Sequence, residues 1–350
     1  KEANLTAMKT MILYTPLMTL ALNITTVVVV WSGGNMIVAG NMQVGDLTAF
    51  TNYIVQIMSS LTMLSIAFLN WARAIASFRR VGEVLDEKID LTDENAKHKD
   101  RAVCEGSVEF QNVSFRYYKN SPEWVIENIS FKLEAGKTLG IIGSTGSGKS
   151  TLVSMIPRLY DTDEGTVLVD GINVRDYGLK PLREGIGMVL QNNTLFSGSI
   201  IENLKWGDEH ADEKAVRKAA QNAQAAGFID SFKDGYRTRL EQSGNNVSGG
   251  QKQRLCIARA LLKCPKILIL DDSTSAVDTA TERAIREALH SEYKDMTKII
   301  IAQRIRSVMD ADEILVLDNG KTAGFGTHEQ LLADCPVYRE IYDVQNGREE

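Results

Sequence analysis

Charge is missing from two long stretches: residues 10–45 and residues 47–72 contain no Asp, Glu, Lys or Arg. The average composition, 44% hydrophobic and 24% charged, hides this division, because charge is dense after Arg79. Cysteine is sparse. Cys104, Cys256, Cys264 and Cys335 stand without C-x-x-C spacing, which argues against metal ligands and reads as reduced, buried or incidental thiols of a cytosolic compartment. A clustered basic surface is lacking as well. With 39 Lys and Arg against 45 Asp and Glu, the net charge is −6, and nothing points to a nucleic acid partner. No signal peptide is visible, and Lys1 falls inside a helical pattern, so the sequence reads as the C-terminal portion of something larger. Its 350 residues leave room for two or three domains.

The uncharged stretches are filled with Leu, Ile, Val and Met. A membrane-spanning helix needs about 20 such residues, so residues 10–31 and 47–72 are predicted to span, and residues 1–85 to form the C-terminal part of a transmembrane domain. Between the spans lie Gly33, Gly34, Gly40 and Gly45, and residues 32–46 hold no Lys or Arg. Lys1, Lys9, Arg73, Arg79 and Arg80 flank the pair, so the connecting loop is expected outside and both ends in the cytoplasm. Asn52, Gln56, Ser59 and Met63 recur at helical spacing. They could line a pathway for a small molecule, lipid or peptide, or hydrogen-bond to neighbouring helices. Two spans cannot enclose a pathway. Residues 86–105, charged and weakly periodic, read as a linker.

Beyond the linker, strands and helices alternate to about residue 317, which predicts that residues 106–350 form an α/β nucleotide-binding domain with a largely parallel core sheet. Residues 107–117 and 137–142 read as strands. The second runs into Gly143, Ser144, Thr145, Gly146, Ser147, Gly148, Lys149, Ser150 and Thr151, and residues 149–159 read as the next helix. This is a phosphate-binding loop in its required context. Its glycines let backbone N–H groups turn toward one anionic centre, Lys149 reaches the outer phosphates, and the Ser150 hydroxyl can ligate Mg²⁺. Residues 267–271 form an apolar strand ending in Asp271, which would hold Mg²⁺ directly or through water. ATP and Mg²⁺ are the implied ligands. About a hundred residues beyond the phosphate loop, Val247, Ser248, Gly249, Gly250 and Gln251 form another glycine turn opening a helix, a second anion site.

These motifs resemble the ATP-binding cassette of an ABC transporter of the exporter type, over some two thirds of the chain. Residues 1–80 are similar in pattern to the last two transmembrane helices of an exporter half, and the expected fold is a two-helix membrane segment followed by an α/β P-loop NTPase domain with a helical subdomain. The resemblance implies that Tyr117 stacks on adenine, with Tyr118 a weaker occupant of that role, and that Gln191 touches Mg²⁺ and faces the transmembrane part. Leu195, Phe196, Glu202 and Asn203 resemble the segment after that glutamine in exporters. Ser248, Gly249, Gly250 and Gln251 resemble the signature, with Val247 where Leu is usual, and Ser275 to Asp278 resemble the D-loop. Gly326, Thr327 and His328 resemble the C-terminal cassette segment, which makes His328 non-catalytic. The resemblance further implies two cassettes head to tail, each ATP lying between one phosphate loop and the other chain's signature.

Two positions depart from the family pattern. Asp272 stands where Glu is usual as the base, and Gln303 stands where a His is usual. Asp is weaker than Glu by about 0.4 pKa unit, or about 0.5 kcal/mol. It also sits about 1.5 Å further back, and misplacement of about 1 Å can cost a hundredfold, about 2.7 kcal/mol. Geometry outweighs basicity. The glutamine amide can donate a hydrogen bond but cannot carry the proton of an imidazole. The reading is a degenerate site that binds ATP and hydrolyses it slowly, in one subunit of a heterodimeric exporter of the bacterial inner membrane. Its signature would complete a competent site on a second half-transporter. Alternatives are a homodimeric exporter with both sites active and an ATP-gated regulatory or channel subunit. A soluble cassette acting on DNA or ribosomes conflicts with the two spans.

Overall fold

The structure is a computed structural model that describes residues 2–273 and 276–347. It divides into two compact units, Lys1–Ile89 and Asp90–Glu350.

The first unit is a helical hairpin of α1 (Glu2–Val38) and α2 (Val44–Leu85). Within it Pro16–Val38 and Val44–Leu85 are long and apolar enough to cross a membrane, so both helices run beyond the expected spans. Most of the expected loop is helix. Only residues 39–43 turn, with Gly40 at φ +75°, a left-handed conformation that glycine adopts without steric cost. Gly33 is buried and packs on the Leu47 side chain, the close approach that small residues permit between apolar helices. The hydroxyls of Thr25, Thr48 and Ser60 donate to carbonyls four residues back, at 2.8 to 2.9 Å. Those polar groups are thus satisfied inside their own helix, whereas the side chains of Asn52, Gln56, Ser59 and Met63 are exposed.

Among the described residues the second unit holds twelve strands in chain order: β1 (Val108–Phe115), β2 (Ile126–Leu133), β3 (Thr138–Gly143), β4 (Glu164–Val169), β5 (Ile172–Asn173), β6 (Ile186–Val189), β7 (Gly198–Ser199), β8 (Arg239–Leu240), β9 (Ile267–Asp271), β10 (Thr297–Ile301), β11 (Glu313–Asp318) and β12 (Lys321–Gly326). Its helices are α3 (Lys149–Ser154), α4 (Leu179–Glu184), α5 (Ile200–Lys205), α6 (Glu213–Asn222), α7 (Ala226–Ser231), α8 (Gly249–Leu262), α9 (Thr279–Glu292), α10 (His328–Asp334) and α11 (Pro336–Asn346). The central sheet has the order β12-β11-β3-β10-β9-β6 and is parallel except for β12. An antiparallel sheet, β2-β1-β4-β5, accompanies it, and β7 pairs with β8.

The apolar run of β9 follows from burial on both faces. Ile267 and Ile269 enter a core shared with Phe110, Phe131 and Leu152, whereas Leu268 and Leu270 enter a second core with helices α5 to α8. That second core, with Ile200, Val216, Ile229 and Ile257, is the expected helical subdomain. A third core gathers Ile142, Val316, Leu331 and Tyr338. Register aligns the functional ends of the central sheet: Ile301 of β10 pairs with Ile141 of β3 and with Asp271 of β9, and Val189 of β6 pairs with Leu270. The chain therefore leaves β3, β6, β9 and β10 at one carboxyl edge, where ligands of open parallel sheets bind.

Residues 90–105 belong to the second unit. The Lys97 ammonium lies 3.2 Å from Asp176, and the Asp93 carboxylate accepts from the Leu179 amide at 3.1 Å. Asp170 accepts the backbone N–H groups of Cys104, Glu105, Gly106 and Ser107 at 2.7 to 3.1 Å. The charged segment read as a linker is thus docked through charges that local sequence could not pair.

Candidate nucleotide site

The phosphate loop connects β3 to α3 with Gly143, Gly146 and Gly148 at φ +155°, +87° and +93°. A Cβ at Gly148 would meet Ile126 Cγ2 at 2.6 Å and the Val125 carbonyl at 2.9 Å, so both backbone conformation and space demand glycine. Helix α3 is shorter than the expected 149–159. Met155 and Ile156 donate to carbonyls three residues back, and Pro157 has no N–H to continue the ladder. Lys149 Nζ donates to the carbonyls of Gly143 and Ser144 at 2.8 and 2.7 Å. Burial lowers its pKa, against the raising effect of Asp271 and Asp272. Ser147 Oγ is buried without a hydrogen-bond partner, and the first amides of α3 have no intrahelical acceptor. An anion seated in the loop would satisfy these donors.

Asp271, at the end of β9, accepts the Ser150 hydroxyl at 3.0 Å. Burial raises its pKa, reinforced by Asp272 and opposed by the Ser150 bond and Lys149. A hydroxyl and a buried carboxylate this close make a hard oxygen pair suited to Mg²⁺, which keeps its remaining positions for water and phosphate. Among the described residues no group of three or more His, Cys, Asp or Glu forms a protein-only metal cage.

Asp272 sits at φ +47°, in the left-handed region where Asp and Asn are enriched. Its Oδ2 accepts from Gln303 Nε2 at 2.8 Å and from Gln191 Nε2 at 3.4 Å. Burial raises its pKa first; the Gln303 bond, Lys149 and Arg304 then lower it, and Glu282 raises it. The two positions that depart from the family pattern are therefore bonded to each other. Gln191 reaches Asp272 rather than Ser150 by hydrogen bond. Gln345 in α11 completes the mount, donating to the Gln303 carbonyl and accepting from the Ile305 amide, both at 2.8 Å. It lies 42 residues from Gln303, and no local sequence signal marks it.

Tyr117 is half-exposed, its hydroxyl 2.9 Å from Thr151 Oγ1, with edge-on contacts to Phe115 and Tyr160. Tyr118 is more exposed still. These placements leave ring surface available beside the phosphate loop.

The signature residues lie elsewhere. Ser248 caps α8 through a capping box, accepting from the Gln251 amide while Gln251 Oε1 accepts from the Ser248 amide. Among the described residues no hydrogen bond joins 248–251 to 143–151. The signature instead abuts the segment before α9: a Cβ at Gly250 would meet the Ala276 carbonyl at 2.8 Å, and Gln253 Oε1 accepts from the Ala276 amide at 3.1 Å. Asp278 caps α9 by accepting from the Thr281 amide and hydroxyl, bonds that lower its pKa. Ser275, expected in the D-loop, lies outside the described residues. His328 pairs with the Tyr338 hydroxyl at 2.8 Å, and burial pushes the Tyr338 pKa up to about 12.

Residues 126–275 match the family described as ABC transporter. Over 334 residues the chain is 43% identical to the "Uncharacterized ABC transporter ATP-binding protein YfiB" of Bacillus subtilis, covering 95% of this chain and 57% of that one. ABC transporter B family member 4 of Dictyostelium discoideum is 37% identical over 331 residues, or 95% of this chain and 43% of that one. A solved bacterial Atm1-family ABC exporter with ATP bound matches with a TM-score of 0.80 at 32% identity, covering 98% of this chain and 60% of that one. The chain spans about half the length of the curated relatives it matches. Phosphate loop, carboxyl-edge aspartates, helical subdomain and these likenesses agree: residues 126–275 lie in an ABC transporter ATP-binding domain, and two N-terminal helices precede it.

Proposed function

We propose that the chain is part of an exporter half-transporter in a bacterial inner membrane, binding ATP with Mg²⁺ and coupling hydrolysis to export. The likeness to an Atm1-family exporter with ATP bound supports this, as do two helices long and apolar enough to span. The phosphate loop and Lys149 hold the phosphates, and Tyr117 flanks adenine. Ser150 and Asp271 hold the Mg²⁺, which when bound offsets phosphate charge. Asp272 orients water. Ser248, Gly249, Gly250, Gln251 and Asp278 serve the nucleotide of a second half-transporter across a head-to-tail interface; among the described residues the signature and the phosphate loop share no hydrogen bond.

We further propose that this chain's own site is slow and that the second half-transporter is a different protein with a competent site. The observation that carries this is the Gln303 amide at 2.8 Å and the Gln191 amide at 3.4 Å on one Asp272 oxygen. A short carboxylate bound by two amide donors is set back and partly occupied, so it abstracts a proton poorly. Burial, which raises the Asp272 pKa, favours a second reading, in which the aspartate is base enough for a homodimer active at both sites.

ATPase activity of the full-length half-transporter in nanodiscs, alone and mixed with candidate second halves, separates the two. Low activity alone that rises with one partner is expected. Vigorous turnover alone would overturn the slow-site assignment and favour the homodimer.

A further inference from the structure

The loop of residues 116–125 joins β1 to β2 and carries Tyr117 near its start. The Val125 amide donates to the Phe115 carbonyl at 2.9 Å and closes its base. One side chain then crosses the loop. The Arg116 guanidinium lies 4.0 Å from the centre of the Trp124 ring and donates from Nη1 to the Ser121 carbonyl at 2.8 Å, and the Arg116 amide donates to Asp163 at 2.9 Å. A planar cation over an indole face is the strongest form of this contact.

The two ends of the loop meet different parts of the nucleotide site. At the far end, the Val125 carbonyl and Ile126 Cγ2 stand 2.9 and 2.6 Å from where a Cβ at Gly148 would lie, so the residues after Trp124 rest against the phosphate loop. At the near end, the Tyr117 hydroxyl lies 2.9 Å from Thr151 Oγ1, and its ring meets Phe115 and Tyr160 edge-on at 5.1 and 5.3 Å. Arg116 precedes Tyr117 and Trp124 precedes Val125, so their stack ties one end to the other. Arg116 itself makes no hydrogen bond to residues 143–151 among the described residues.

A loop held in its binding shape before the ligand arrives spares the ligand the cost of ordering it. We propose that Arg116 is a positioning residue for the nucleotide base: stacked on Trp124, it fixes the reach from Tyr117 to the phosphate loop and so preorganises recognition of adenine without touching ATP. This rests on the reading of Tyr117 as the residue that flanks adenine.

The test is equilibrium binding of a non-hydrolysable ATP analogue to the full-length protein in nanodiscs, with inorganic tripolyphosphate as a second probe that lacks the base. Arg116→Met should bind the analogue about fivefold more weakly, the size a half-buried cation–π contact carries, and bind tripolyphosphate as before. Trp124→Phe keeps an aromatic face and should retain most of the affinity, whereas Trp124→Ala should lose as much as Arg116→Met. On top of Tyr117→Ala, Arg116→Met should cost nothing more, because both act on one contact. Unchanged tripolyphosphate binding reports a folded phosphate loop; should Arg116→Met lose it, the two Trp124 variants decide. Unaltered binding of the analogue, a loss that adds to that of Tyr117→Ala, or an equal loss for both probes in Trp124→Ala would each overturn the proposal. Normal analogue binding by Tyr117→Ala would overturn the adenine role of Tyr117 and this inference with it; weakened binding in Tyr117→Ala but not in Arg116→Met would overturn this inference alone.

Discussion

Asp271 and Asp272 carry their charge where folding disfavours it, since burial leads the causes that raise both pKa values. Between the ordinary carboxylate pKa, about 3.9, and the raised folded value, the folded state binds more protons than the unfolded one. Stability therefore falls as pH rises through that window and stays lower above it. Asp271→Asn should remove this penalty, raising the melting temperature of the nucleotide-free protein at neutral pH by about 2–4 °C, while abolishing further stabilisation by Mg-ATP. Calorimetry with and without Mg-ATP checks both signs; a lower melting temperature without nucleotide would refute the argument. The bonded pair of Asp272 and Gln303 makes a second prediction. Asp272→Glu with Gln303→His, in the proposed heterodimer with its other site disabled, should raise hydrolysis at this site by about tenfold to a hundredfold. The gain should come with some loss of stability, because φ +47° at position 272 suits Asp better than Glu. No gain would mean that these side chains do not limit turnover.

At the scale of elements, the phosphate loop follows a strand of the central sheet and the signature opens a helix of the helical subdomain. The capping box that Ser248 shares with Gln251 starts α8, and caps of this kind are worth about 1 kcal/mol, so Ser248→Ala should lower stability modestly. Ser248→Arg adds bulk and positive charge where another chain's γ-phosphate is proposed to lie. It should abolish most turnover of the assembled transporter while this chain still binds a fluorescent ATP analogue. Near-normal turnover would count against the role in trans. The phosphate loop illustrates how local sequence and tertiary contact divide the work. Its glycine spacing was readable, but Pro157 and the three-residue-back bonds of Met155 and Ile156 shorten α3 below what the apolar pattern of residues 149–159 suggests.

At the scale of the molecule, the two compact units meet in sequence at Ile89 and Asp90, not at residue 106. A fragment beginning at residue 90 should melt several degrees above one beginning at residue 106. The shorter fragment loses the Lys97 and Asp93 contacts and leaves part of the Asp170 carboxylate without its Cys104 and Glu105 amides; equal melting temperatures would show that this docking is energetically idle. Sequence by itself determined the uncharged helices, the alternation of strand and helix, and the phosphate loop. These depend on composition, periodicity and glycine conformation within a few residues. Tertiary structure alone decided that residues 90–105 dock, that an antiparallel sheet accompanies the parallel one, and that Gln345 braces Gln303 from 42 residues away. It also decided that Gln303 bonds Asp272. Such contacts join distant strands and helices through register and burial, which no local pattern encodes.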